Sequence, residues 1–152
     1  MEYLTDQTSE IAENQSNIVE YLQLAELEKL EDTLKSLYAS IPYNSYVNNN
    51  ISSYEGYFVN VLYAYFSGIG LDIVAEDVTN KGRIDLTIKL NKYCYIIEFK
   101  VDQNGKAIEQ IKKKNYIEKY LYLKNEGWDI YLIGIDFSSE NKNIKDFVWE
   151  KV

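Results

Sequence analysis

Histidine is missing altogether from this 152-residue chain, and cysteine, proline and methionine occur once each. Without imidazole there can be no Ser-His-Asp or Cys-His nucleophile, no histidine-ligated zinc and no histidine general base. Any catalysis must run through carboxylates, lysine, tyrosine or metal-activated water. The lone Cys94 has no partner for an internal disulfide, which fits a reducing, cytoplasmic compartment. No stretch is apolar enough to span a membrane, and Met1-Glu2-Tyr3-Leu4-Thr5-Asp6 lacks the basic-then-apolar pattern of a secretory signal, so a soluble protein without a membrane partner is expected. Basic charge is short as well: 16 Lys and Arg stand against 24 Asp and Glu, for a net charge of -8. That balance argues against wrapping duplex DNA by counterion release alone, so a local basic strip must serve any phosphate backbone. Lys112-Lys113-Lys114 is such a strip, with Lys106 and Lys119 nearby, although a lysine run is more often a solvated helix face.

What the chain does have is a pair of alternating segments at its centre. Gly82-Arg83-Ile84-Asp85-Leu86-Thr87-Ile88 and Tyr95-Ile96-Ile97-Glu98-Phe99-Lys100-Val101 both carry the period of two expected of strands, and Asn91-Lys92 between them reads as a tight hairpin turn. That turn fixes a register in which Asp85 faces Glu98. Two like charges directly opposite destabilise a sheet, and Glu and Lys are seldom placed in so apolar a strand without compensation. A divalent cation would compensate. Lys100, two residues beyond Glu98, shares its face at roughly 6 to 7 Å along the strand. Carboxylates that hold a hard cation, with an ammonium beside them to steady water or a pentavalent phosphate, suit a magnesium-dependent phosphodiesterase. The competing reading is a salt-bridged pair on a wet sheet face.

The rest of the chain reads as a frayed arm over 1–16, then an amphipathic helix from about Asn17 to Ala39 whose Leu27, Leu30, Leu34 and Leu37 form one stripe. Pro42 to Ile51, with Asn48-Asn49-Asn50, is the best internal boundary and divides a 1–50 arm and helix from a 51–152 domain. A second helix capped by Ser52 or Ser53 runs to about Ser67, stopped by Gly68-Ile69-Gly70. Its apolar face is Phe58, Val59, Leu62 and Phe66, and one turn back in line with it stands Glu55. Further strands are expected near Asp72 to Val78, Trp128 to Ile135 and Asp146 to Glu150, with a long helix from about Gly105 to Lys124. On that helix Gln110, Lys113 and Lys114 would form a polar ridge able to overlook the carboxylates. Fifteen tyrosines are better explained by cores and interfaces than by base stacking.

In this order, Glu55, Asp85, Glu98-Phe99-Lys100 and Gln110 resemble the PD-(D/E)xK nuclease superfamily. Ser-Ile-Pro-Tyr at 40–43, Tyr-Glu-Gly-Tyr-Phe at 54–58, Glu-Asp-Val-Thr-Asn-Lys-Gly-Arg-Ile-Asp-Leu at 76–86, Ile-Ile-Glu-Phe-Lys-Val at 96–101 and Ala-Ile-Glu-Gln-Ile at 107–111 look like one bacterial branch, the nuclease-like domains that follow an AAA-type ATPase-like domain. The resemblance covers about residues 30–152. The proline of the superfamily's name is absent, since Arg83-Ile84 precede Asp85. It implies an α/β fold of the α+β mixed-sheet kind, a restriction-endonuclease-like core in the order α-β-β-β-α-β, here with an extra N-terminal helix. It also implies hydrolysis of nucleic acid, with DNA the expected substrate, and Mg²⁺ or Mn²⁺ as cofactor. Asp85, Glu98 and the Phe99 backbone carbonyl would be metal ligands, with Glu55 an auxiliary one. Lys100 would activate or orient water, Gln110 would position water or backbone, and Lys113 and Lys114 would meet the phosphate backbone. The alternative is a catalytically silent module of the same fold that binds protein or nucleic acid. The 17–39 helix is expected to be a brace or an interface, through a homodimer or a partner protein.

Overall fold

The structure is a computed structural model that describes residues 16–41, 51–67 and 71–152, with 51–55 described by their backbone alone. Of the arm expected over 1–16, residues 1–15 lie outside the described residues and Ser16 already belongs to a helix; of the boundary expected from Pro42 to Ile51, residues 42–50 lie outside them. Helix α1 covers 16–24, α2 Leu27–Ala39 and α3 Ile51–Ser67. Strands β1 (Asp72–Thr79), β2 (Gly82–Leu90) and β3 (Tyr93–Val101) follow, then α4 (Lys106–Lys113) and two 3₁₀ turns at Tyr116–Lys119 and Leu121–Glu126. The chain closes with β4 (Asp129–Ser138) and β5 (Asn143–Lys151). The five strands form one mixed sheet in chain order: β1, β2 and β3 are an antiparallel meander, β4 is parallel to β3, and β5 is antiparallel to β4.

The meander is as tight as its sequence demands. Asn91 and Lys92 both take positive φ, 53° and 68°, the backbone of the two-residue turn whose twist matches its strands. Beside it, β3 is apolar almost throughout because both of its faces are covered. One face packs in a core that takes in Leu27, Leu30, Leu34 and Leu37 of α2, Phe58, Leu62 and Phe66 of α3, and Tyr95, Ile97, Phe99 and Val101 of β3. On the other face α4 and the 3₁₀ turns bring Ile108, Ile111, Tyr116 and Tyr120 against Cys94, Ile96, Ile130 and Leu132.

Two expectations about helices are corrected. The single helix over 17–39 breaks at Ala25, which adopts φ 54°. Nothing local predicts a stop at Ala-Glu; the cause is the hairpin, which satisfies the carbonyls of the last turn of α1. Tyr95 donates its hydroxyl to the Leu22 carbonyl at 2.5 Å, and the Asn91 amide reaches the Gln23 carbonyl at 2.9 Å. The long helix expected over 105–124 ends at Lys113, where Asn115 turns left-handed at φ 49° and the chain continues as 3₁₀ turns that still bury Tyr116, Tyr120 and Leu123. The four leucines of the 17–39 stripe are buried against the protein's own sheet, so they brace the fold.

Tyrosine hydroxyls fasten the layers. Tyr38 donates to the Phe58 carbonyl at 2.7 Å and ties α2 to α3. Asp77, almost wholly buried, accepts hydrogen bonds from Tyr120, from Lys119 and, at 2.8 Å, from Thr87. Asp77 reaches that side only because Glu76 has φ 50°, which breaks the alternation of β1. Opposite, β2 changes face between Leu86, which packs with α2 and α3, and Ile84, which packs with α4. Asp85 stands at that switch.

The approach of α4 to the sheet is set by Gly134 on β4. A Cβ there would lie 2.5 Å from the Ile108 backbone nitrogen, a contact no flexible side chain can relieve. Gly134→Ala should therefore lift α4 and cost about 1–3 kcal/mol in urea unfolding. Burial alone would raise the Asp77 carboxyl, but its hydrogen bonds with Lys119, Tyr120 and Thr87 outweigh that and hold it below the ordinary carboxylate range. A depressed folded value contributes stability above the unfolded value, about 3.9, that is lost as pH falls through the folded one. Melting temperature should fall between about pH 5 and about pH 2, and the fall should be shallower for Asp77→Asn, which is less stable at neutral pH.

Candidate active site

Paired residues of β2 and β3 run from Leu90↔Tyr93 to Leu86↔Ile97, and the same register carried one step further sets Asp85 opposite Glu98. At that step side chains replace the backbone ladder. The Asp85 N–H donates to Glu98 Oε1 at 3.0 Å, and the Phe99 N–H donates to Asp85 Oδ2 at 2.9 Å. Each carboxyl thus accepts a bond from the other's strand. Within a strand, the N–H and C=O of one residue point to the same side. The Phe99 carbonyl therefore also faces β2, beyond the last paired residues.

The pair is costly to bury. Glu98 is 1% exposed. Burial and then the facing Asp85 charge push its carboxyl up to about 9, and burial likewise raises Asp85. Gln110 on α4 donates its amide to Glu98 Oε2 at 3.1 Å and lies 3.4 Å from the Tyr116 hydroxyl. A polar pocket of about 290 Å³ opens over these groups, lined by Asp85, Glu98, Lys100 and Gln110 together with Glu76, Arg83 and Tyr116. Lys100 forms no hydrogen bond or ion pair among the described residues. On the neighbouring strand it is paired with Asp136, whose Oδ2 accepts the Gly105 N–H at 3.1 Å at the start of α4. Asp136 Oδ1 is buried without a partner, and burial pushes that carboxyl up to about 6.

Four of the residues expected at the site, Asp85, Glu98, Lys100 and Gln110, thus meet around one pocket. Glu55 belongs to the first turns of α3, and its side chain lies outside the described residues. Lys113 and Lys114 are exposed at the end of α4 and do not line the pocket, while Lys112 pairs with Glu150 at 2.5 Å. The ridge expected with Gln110 is therefore divided, because Gln110 turns to the carboxylates and the helix ends at Lys113. Sequence reasoning missed Glu76, Arg83, Tyr116 and Asp136. Tyr116 was legible only as a core contact, and Asp136 sits in an apolar strand with no partner nearby in sequence.

Two carboxylates and a backbone carbonyl side by side are hard oxygen donors. They suit a cation such as Mg²⁺, which keeps several waters and seldom takes an all-protein cage. Among the described residues no three Asp, Glu, His or Cys side chains are placed so that together they could hold an ion, so the remaining positions would fall to water or to Glu55.

A profile of the PD-(D/E)XK nuclease superfamily matches residues 53–147, and the chain belongs to that family. A protein of Azotobacter chroococcum mcd 1, described as an uncharacterized protein in the vnfD 5′ region, is 40% identical over 126 residues, which are 81% of this chain and 24% of that protein. The chain thus spans about a quarter of that relative's length. No solved structure matches.

Because burial and the facing charge make it costly to ionise both carboxyls without a cation, Asp85→Asn should melt at the same temperature as wild type or a few degrees higher in chelator, its amide still serving Phe99 and now donating to Glu98. Added Mn²⁺ should raise the melting temperature of wild type and leave the variant unmoved.

Proposed function

We propose that this chain is a divalent-metal-dependent nuclease that hydrolyses phosphodiester bonds of nucleic acid, DNA foremost, with Mg²⁺ or Mn²⁺ as cofactor. One observation carries the reading: Asp85 and Glu98 face each other in a largely buried setting, each bonded to the other's strand, and among the described residues neither forms an ion pair. Family membership supports it. Oxygens of Asp85 and Glu98 and the Phe99 carbonyl would hold the ion, with Glu55 as an auxiliary ligand. Once bound, the ion supplies positive charge against the phosphate and makes water more acidic.

The chain's own residues do the rest. Lys100, on the same face as Glu98, stabilises negative charge that builds on the phosphate in the transition state. Gln110 fixes the orientation of the Glu98 carboxylate and is in turn near the Tyr116 hydroxyl. Arg83 at the rim offers a guanidinium to a phosphate of the substrate. Lys113 and Lys114, outside the pocket, track the backbone further along. In longer relatives this unit would work beside an ATPase-like domain, in the cytoplasm. Among the described residues no helix is long and apolar enough to cross a membrane.

The test is incubation with linear duplex DNA, single-stranded DNA and RNA in Mg²⁺, Mn²⁺ or chelator. Cleavage should require metal, and Lys100→Ala should lower its rate on the order of 100-fold to 1000-fold while keeping the fold. Gln110→Ala should cost less. Alanine at Lys113 and Lys114 should mainly weaken substrate binding and flatten its salt dependence. Metal-independent cleavage, or a Lys100→Ala protein as fast as wild type, would defeat the reading. Binding without turnover would favour the silent module.

A further inference from the structure

Beside the polar pocket lies a larger open cleft of about 660 Å³, and the two share Glu76, Arg83 and Asp85. Its far wall is one face of α3: Gly56, Val59, Asn60 and Tyr63 recur at the three- and four-residue spacing of a single helical stripe. This stripe is offset from the buried one of Phe58, Leu62 and Phe66. Tyr63 is 39% exposed and has no ring, hydrogen-bond or charge partner among the described residues, unlike the tyrosines that fasten the core. At the wall's other end a Cβ on Gly56 would meet nothing within 4 Å, so the missing side chain leaves the cleft open. Arg83, 3.8 Å from Glu76, stands where the cleft joins the carboxylates.

We propose that this cleft takes an unpaired nucleotide next to the phosphate to be cut, its base against Tyr63 and Asn60 and its backbone passing Arg83 towards Asp85. The inference rests on the nuclease reading above for the position of that phosphate. A cleft of this size encloses a nucleotide-sized group rather than a duplex. In a duplex the faces of the bases are stacked on one another, so a ring such as Tyr63 can stack only on a base that is unpaired or has left the helix. Asn60 offers both a donor and an acceptor to a base edge. The net charge of -8 points the same way, because it gives no broad basic surface on which to lay a duplex. A single strand needs only a stacking ring and a few local cations.

Binding is read by fluorescence anisotropy in chelator or Ca²⁺, with labelled oligo(dT), oligo(rU) and a blunt DNA hairpin as probes. Wild type should prefer a single-stranded probe, and the two arms show whether its sugar is deoxyribose or ribose. Tyr63→Ala should weaken that binding about 5-fold to 100-fold and leave the hairpin unchanged, whereas Tyr63→Phe, which keeps the ring, should bind as wild type. Gly56→Leu fills the cleft from a helix that leucine favours, so it should cause the same loss without lowering the melting temperature. Unchanged single-strand binding in both Tyr63→Ala and Gly56→Leu would overturn the proposal, as would equal weakening for the hairpin. A wild type that never cleaves, yet loses single-strand binding through Tyr63, would uphold the cleft and defeat only the hydrolytic reading. Metal-dependent cleavage with binding indifferent to both substitutions would do the reverse.

Discussion

The site depends on two bonds between neighbouring strands, in which Glu98 accepts the Asp85 N–H and Asp85 accepts the Phe99 N–H. A sheet normally satisfies its own backbone, and here the β2–β3 ladder gives way to two carboxyls that accept the next two N–H groups instead. The substitution fixes both side chains to the frame of the sheet, so their geometry carries the rigidity of β3 and not the freedom of a loop. It also makes the pair expensive, since burial and mutual repulsion both oppose ionisation.

Everything around the pair serves to hold β3 still. The hairpin turn and Tyr95 end α1, α2 and α3 cover one face, and α4 covers the other. Gly134 then sets how closely α4 lies on the sheet, and hence whether Gln110 can reach Glu98 at hydrogen-bonding distance. The carboxylates, their amide partner and the depth of the pocket are thus one mechanical unit. Asp136 belongs to it from the other side, capping the start of α4 while facing Lys100 across the β3–β4 pair.

Much of this was legible in the chain. Strict alternation on both sides of Asn91-Lys92 was enough to give the register, and with it the facing of Asp85 and Glu98, because a two-residue turn leaves one way to pair the strands. The leucine spacing of α2 and, on α3, Phe58, Leu62 and Phe66 gave faces that are indeed buried, whereas Val59 of the same expected stripe is half-buried and lines the open cleft. What could not be read are features decided by contacts distant in sequence. The break at Ala25 depends on hydroxyl and amide groups some 70 residues away, as the Leu22–Tyr95 bond shows. The early end of α4 depends on a left-handed Asn115 that only the packing of Tyr116 and Tyr120 requires. Glu55 remains a sequence-based candidate only.

The left-handed Glu76 has a further consequence. β1 is an edge strand, and an edge of regular pleat offers a row of unpaired donors and acceptors to any passing chain. By turning the strand over midway, Glu76 interrupts that row and faces its two halves differently, so no straight segment can pair along the whole edge. The same irregularity that brings Asp77 inside therefore protects the protein against sheet-to-sheet aggregation.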